Sequence, residues 1–399
     1  MNTGIGSVVI VGGGLAGHTL ADALRGRGFA GRITLIEREP AVYDRPPLSK
    51  AALAEDFALE NIAFATTSQL EQKSIQVLTG RTVVGLDGGA QLDDGTIVTG
   101  DALVLATGGR ARTLPFTGHD APLVHTLRTF DDAVRIRRHA RAGCHVLVVG
   151  AGLIGAELTS SLRNRGARVT LIDPVEIPLV PAAGEAFARL LHAMHADNGA
   201  EVRVGTVREV IAGSPGEAVL DDGTRLSVDA VVVGAGILPN VELARSAGLP
   251  VEDGIIVDHE HRVIDGIYAI GDVARTRGHD GELRRRHEHW EAAQLDALEL
   301  AAILVGDEPE PRGAAWWWSD RYGVHVEGVG QMTGNGETVM RGNQAAFHLV
   351  GDQLVGAVSL DDPMTVRAAR RLIDQHIPVS AAVLADPSVP LRSLLRAAR

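Results

Sequence analysis

The residues whose spacing could do chemistry are glycines. In VVIVGGGLAGHTLADALRGRGFAGRITLIE (residues 8–37), Gly12, Gly14 and Gly17 follow four β-branched residues, Val8 to Val11, and open a helix with Leu20, Ala23 and Leu24 on one face. Glycine there permits a tight turn and lets backbone N–H groups approach a pyrophosphate at the positive end of the helix. Glu37, twenty residues past Gly17 at the end of the next apolar strand, is placed to bond an adenosine ribose 2′-OH. Strand, glycines, helix, strand and terminal acid together predict a βαβ unit that binds an adenine dinucleotide.

An internal repeat doubles the motif. In residues 146–173, VLVVGAGLIGAELTSSLRNRGARVTLID, Gly150, Gly152 and Gly155 lie 138 residues beyond Gly12, Gly14 and Gly17, and Asp173 takes the place of Glu37. LDDGTIVTGDALVLATGG (92–109) and LDDGTRLSVDAVVVGAGI (220–237) repeat as well, each with an Asp-Gly turn between extended runs and a closing strand that ends on glycine. Two dinucleotide sites are predicted, each on a βαβ unit with an inserted antiparallel hairpin.

Composition sets the bounds. A chain of 399 residues, 45% hydrophobic, has room for two or three domains with sizeable cores. A net charge of −12 argues against non-specific nucleic-acid binding. Apolar runs are only strand-sized and no basic segment precedes an apolar core at the N-terminus, so neither a membrane span nor a secretory signal is expected. The sole cysteine, Cys144, excludes an internal disulfide framework and fits a reducing cytoplasm. Histidines in HEHW and LLHAMHADNG lack metal-site spacing, so no metal is expected.

Together with IYAIGDVAR (267–275), the two halves resemble the two-dinucleotide flavoproteins of glutathione reductase type: an α/β fold with two Rossmann-like three-layer domains, the first for FAD and the second for NAD. More narrowly, YDRPPLSK (43–50), LATGGRAR (105–112), GAGLIGAE (150–157), HEHW (287–290) and WSDRYG (318–323) are similar to the FAD-dependent ferredoxin reductases of Rieske-type dioxygenase and bacterial cytochrome P450 systems. The resemblance runs from Val8 to the C-terminus. It implies a discontinuous FAD-binding domain (1–110 and 236–312), an NAD-binding domain (111–235) and a C-terminal α+β interface domain (313–399). From about residue 313 short strands separated by glycine-rich turns read as an antiparallel sheet followed by helices, and Arg367, Arg370 and Arg371 read as a solvated helix face.

Roles follow from the resemblance, residue by residue. Pro46 and Pro47 stiffen a loop that displays Arg45 and Lys50 out of helix. Arg45 would meet the FAD pyrophosphate. Lys50 would lie near flavin N5, paired with Glu157, where a cation held by a carboxylate stabilises the negative flavin left by an arriving hydride. Ala16, Arg38, Val83, Ala106, Thr107, Gly108, Arg110, Gly271, Asp272, Val273, His289, Trp290 and Ala293 are further implied FAD contacts, with Asp272 accepting from a ribityl hydroxyl and Val273 and Ala274 starting a helix. Leu153, Ile154, Gly236, Ile237 and Glu288 join the second glycine turn on the nicotinamide nucleotide, with Pro239 beside them. Asp173, followed by Glu176 and no arginine, predicts NADH over NADPH.

By the same resemblance Trp290 opens a helix beside the flavin, and Trp318 sits where an iron–sulfur protein docks; ordinary packing is the competing account of both. Arg284, Arg285 and Arg286 would form a positive patch that steers an acidic ferredoxin, against the alternative of a solvated loop. With no cysteine pair after the first strand and none near residues 42–50, electrons must leave the flavin directly. The implied activity is ferredoxin–NAD(+) reductase, passing hydride from NADH to FAD and single electrons to a [2Fe-2S] ferredoxin. Rubredoxin as carrier and an NADH-binding redox sensor like the apoptosis-inducing-factor relatives of this fold stay open, as does monomer against homodimer, while the missing cysteine disfavours an oxygen-reducing oxidase.

Overall fold

Two compact units organise the chain in a computed structural model, which describes residues 4–397. The first comprises residues 4–45, 58–110 and 237–312; the second comprises 46–57, 111–236 and 313–397. The sequence-derived division differs at two points. Residues 46–57, which carry Lys50, group with the second unit, and so does the C-terminal segment from 313. For the C-terminal segment the cause is packing: Phe187 and Leu191 of the helix Glu185–Asp197 share one apolar cluster with Trp317, Val326, Ala346 and Val358.

In the first unit Val8 to Val11 and Ile33 to Ile36 form parallel neighbours, Val8 opposite Ile33 and also opposite Ala102 on the other side. The six-stranded sheet runs in the order Arg262–Ile264, Ile267–Ala269, Ala102–Leu105, Ser7–Val11, Arg32–Glu37, Ile75–Thr79. Strands this uniformly β-branched and aliphatic must be covered on both faces. The helices Leu15–Gly26 and Trp290–Val305 cover one face through Leu20, Leu24, Ala297 and Leu300. The opposite face meets Ala90, Leu92, Val241 and Ile255.

The second unit repeats this plan and adds a sheet. Its parallel sheet has the order Glu201–Val204, Arg168–Asp173, His145–Val149, Ala230–Val233, Val124–Thr126. Beside it lies the antiparallel meander Val207–Ile211, Gly216–Leu220, Arg225–Val228, the counterpart of Val83–Gly85, Ala90–Leu92, Ile97–Val98 in the first unit. The two Asp-Gly turns match bond for bond: Leu92 N–H donates to the Thr96 carbonyl at 2.8 Å and Leu220 N–H to that of Thr224 at 2.9 Å, with Gly95 and Gly223 at φ +86° and +85°. The C-terminal sheet, in the order Trp316–Arg321, Val324–Gly330, Gln353–Leu360, Ala345–Val350, Glu337–Arg341, is antiparallel throughout and carries the helix Pro363–Asp374. Among the described residues no helix is long and apolar enough to cross a membrane.

Candidate active site

Both glycine turns are shaped by close backbone approach. A Cβ on Gly17 would stand 1.9 Å from the Gly12 carbonyl oxygen, and one on Gly155 would stand 1.8 Å from that of Gly150. Those glycines bring helix against strand. Gly14 and Gly152 differ, because a Cβ on either meets no protein atom within 4 Å. Each is the N-cap of its helix with no side chain capping it, whereas the helices Thr67–Gln72 and Phe130–Arg137 are capped by Thr66 and Thr129. Free N–H groups, a positive helix end and open space beside a residue without Cβ fit a bound pyrophosphate in each unit.

The acids at the ends of the second strands are held alike. Glu37 accepts from Gly13 N–H at 2.6 Å and Glu39 N–H at 2.9 Å. Asp173 accepts from Ala151 N–H at 2.7 Å and Val175 N–H at 2.8 Å. Each carboxylate is thereby oriented at the edge of its glycine turn.

Around the first turn, distant segments converge. Gly271, at φ +72°, comes so close to Ala16 and Ala293 that an added Cβ would lie 3.0 Å and 3.6 Å from theirs. Asp296 of the helix Trp290–Val305 accepts from Gly271 N–H at 2.9 Å, while Asn240 clasps Thr107 through bonds of 3.0 Å and 2.8 Å. Trp290 donates its indole N–H to Asp44 at 3.0 Å. Val273 is buried, whereas His289 and Arg38 are exposed and Val83 and Ala106 line the sheet edge and strand end.

A charged cluster forms entirely within the second unit. Lys50 Nζ lies 3.3 Å from Glu157 Oε1 and 2.8 Å from Asp320 Oδ2, and 5.6 Å from the centroid of the Trp318 ring. Glu157, 4% exposed, accepts further bonds from Ser49 Oγ (2.5 Å), Ser319 Oγ (2.8 Å) and Asp320 N–H (3.3 Å). Behind it Arg321, 2% exposed, donates to Ser319 Oγ at 3.0 Å; burial brings its guanidinium down to about 10, against the pull of Glu157. Burial would raise the Asp320 carboxyl, yet bonds from Lys50 and His325 hold it below its ordinary range. Two cations and two carboxylates thus balance, and one of those cations, Lys50, reaches the surface.

A pyridine nucleotide-disulphide oxidoreductase family model matches residues 6–297, and a reductase C-terminal model matches residues 316–395. The chain belongs to this oxidoreductase family. Rhodocoxin reductase of Rhodococcus erythropolis is 35% identical over 97% of this chain and 93% of its own length. The ferredoxin–NAD(+) reductase component of the p-cumate 2,3-dioxygenase system of Pseudomonas putida is 34% identical over 98% of this chain and 99% of its own. The crystal structure of a covalent putidaredoxin reductase–putidaredoxin complex superimposes with a TM-score of 0.90 at 33% identity, over 98% of both chains. Membership brings FAD and NAD(H) as the cofactors of this oxidoreductase.

Other expected positions have protein partners or local backbone settings of their own. Arg45 is engaged by Glu39 at 3.0 Å and by the Tyr43 hydroxyl at 3.2 Å, so its charge is already shared. Arg110 is paired with Glu242 at 2.8 Å. The segment Pro46–Ser49 is a 3₁₀ turn, and Gly271–Val273 is another that runs into the strand Ala274–Thr276 where a helix was expected. Glu288 pairs with Arg286 at 2.8 Å; burial raises its carboxyl and that guanidinium opposes the rise. Leu153 and Ile154 open the second glycine helix, Ile154 exposed beside Gly152, while a Cβ added at Gly236, at φ +89°, would meet open space, and Ile237 begins the strand after it.

Of the three arginines of the expected patch, Arg284 and Arg285 are exposed and Arg286 is not. Arg286 is buried and donates to the carbonyls of Asp253 and Asp272, both at 2.8 Å, and Arg284 is tied to Asp280 at 2.6 Å. A guanidinium locked on two backbone carbonyls holds a turn and steers nothing. Arg286→Ala should therefore destabilise the protein by about 3 kcal/mol, read from the denaturant midpoint, while Arg284→Ala leaves the midpoint in place. Asp320, Ser49, Ser319, Asn240 and Asp296 were missed from sequence; the only signal was their adjacency to Lys50, Trp318, Pro239 or Trp290.

Proposed function

We propose that this chain is the ferredoxin–NAD(+) reductase of an oxygenase system, accepting hydride from NADH and delivering electrons singly to a [2Fe-2S] ferredoxin. The observation that carries the reading is the matched pair of glycine cradles in a chain with one cysteine, Cys144, and hence no redox thiol pair. FAD, when bound, supplies the conversion between two-electron and one-electron transfer. Gly12, Gly14 and Gly17 hold its pyrophosphate, Glu37 its ribose, and Asp272 its ribityl chain. Gly150, Gly152, Gly155 and Asp173 hold NADH in the same manner. Lys50, shared by Glu157 and Asp320, presents a positive charge to the flavin where negative charge develops. Trp318, beneath that ammonium, is the surface proposed to meet the ferredoxin.

In this reading one NADH and two oxidised ferredoxins yield NAD⁺, two reduced ferredoxins and a proton. The purified protein should be yellow, bleach on NADH addition, and reduce cytochrome c rapidly only when a [2Fe-2S] ferredoxin is supplied. A long-lived coloured NADH complex without carrier-dependent turnover would instead identify a redox sensor, and fast NADH consumption without carrier an oxidase. Reduction of cytochrome c with rubredoxin alone would reassign the carrier.

The nucleotide preference follows from charge. The Asp173 side chain beside the ribose accepts from a 2′-OH and repels a 2′-phosphate, and no arginine follows it in the turn to reverse that sign. NADH should exceed NADPH in kcat/KM by roughly 100-fold, and Asp173→Ser should narrow the ratio by about tenfold. Equal use of the two nucleotides by the unaltered protein would remove this assignment.

A further inference from the structure

The sharing of Lys50 between two carboxylates leads outward to a histidine. Asp320 Oδ2 takes Lys50 Nζ at 2.8 Å, and Asp320 Oδ1 meets His325 Nδ1 at 2.5 Å. His325 Nε2 lies 2.9 Å from Glu327 Oε1, and Glu327 Oε2 accepts from the Trp316 indole at 3.3 Å. Trp316 stacks on Trp318 at 5.0 Å and 20°, and Trp318 lies beneath Lys50, so the chain of contacts closes on itself. Antiparallel register makes this possible, since Asp320 and His325 stand directly opposite one another across the strand pair, and Glu327 is two residues further on the same face.

His325 is the one member of this ring that gains and loses a proton near neutral pH and also opens to solvent, its side chain 37% exposed. The charged groups around it are Asp320 from the facing strand, Glu327 on its own strand, Asp361 just past the strand Gln353–Leu360, which accepts the His325 backbone N–H at 2.8 Å, and Lys50 beyond Asp320. Burial lowers the imidazolium's affinity for its proton, but Asp320 and Glu327 outweigh it and hold the group above its ordinary value. The cation therefore persists to higher pH than that of an unpaired imidazole and is lost as pH rises through that raised value.

We infer that His325 is a positioning residue of the reductase reaction: through Asp320 it sets where Lys50 rests and how much positive charge the flavin receives. With His325 protonated, Asp320 is neutralised from its far side and Lys50 can lean on Glu157. Once His325 is neutral, Asp320 draws the ammonium toward itself and the cluster becomes one charge more negative, which disfavours a reduced, anionic flavin. The inference rests on the proposal that Lys50 addresses the flavin.

The test uses the holoenzyme, with stopped-flow reduction by NADH and the flavin midpoint potential both followed from pH 6 to 9. The unaltered protein should lose roughly three- to tenfold in reduction rate across one inflection, with an extra fall in potential at the same pH. His325→Asn should remove the inflection and stay at the alkaline level; His325→Lys should remove it and stay at the acid level. A merely structural histidine would not give two variants that plateau on opposite sides. Retention of the inflection in both variants overturns the inference. If Lys50→Met leaves the potential untouched, the placement of Lys50 fails and the inference goes with it; a shift with Lys50→Met but none with His325→Asn refutes the role of His325 alone.

Discussion

Gly152→Ala is expected to yield a yellow protein of unchanged melting temperature that NADH bleaches about 100-fold less effectively. The backbone of Gly152 lies at φ −66° and ψ −168°, which alanine adopts freely, and no protein atom stands within 4 Å of the added methyl. The methyl therefore costs the folded chain nothing and enters only the space proposed for the nucleotide pyrophosphate. Dithionite should still reduce the flavin, separating lost NADH binding from a damaged flavin site. Gly14→Ala is the mirror experiment: the same open space in the other unit, a normally folded product, and a protein that emerges colourless. Gly155→Ala and Gly17→Ala make the opposite control, because each forces a methyl to within 2 Å of a carbonyl oxygen and must cost stability as well. Full bleaching of Gly152→Ala at ordinary NADH concentrations would take the nucleotide away from this turn.

Glu157→Gln should lower stability by about 3 kcal/mol and slow reduction by NADH at least tenfold. Glu157 accepts bonds from Ser49, Ser319, Asp320 N–H and Lys50, so an amide NH₂ in its place turns a donor toward donors. The substitution also strips the buried Arg321 of the carboxylate that offsets its burial. Lys50 would keep only Asp320 and swing toward it. Thermal melting and stopped-flow reduction measure the two effects separately. An unchanged melting temperature would mean that water, and not Glu157, balances Arg321.

The βαβ units could be read from sequence because every element of them is local. A β-branched strand, glycines at fixed spacing and an acid at the end of the next strand lie within thirty residues, and the 138-residue offset repeats them. What remained illegible depends on register and burial. The strand Trp316–Arg321 alternates inward and outward, yet its inward positions are Trp317, Ser319 and Arg321. Two of the three are polar because they face Glu157, so the period of two carries no hydrophobic signal. The opposition of Asp320 and His325 exists only once that strand pairs with its neighbour. Arg286 was misread for a related reason: three consecutive arginines look solvated, and only the carbonyls of Asp253 and Asp272 show that one of them is interior.

The helix of the first glycine turn, Leu15–Gly26, packs against Trp290–Val305, which the ribosome makes last among the elements of that unit. Between the two the chain leaves for the other unit and returns twice, departing at residues 46 and 111. During synthesis the earliest-made cradle must wait on the order of tens of seconds for its lid of alanines and leucines. Flavin capture is therefore confined to a nearly finished polypeptide, and fragments ending before residue 290 should emerge from translation without colour.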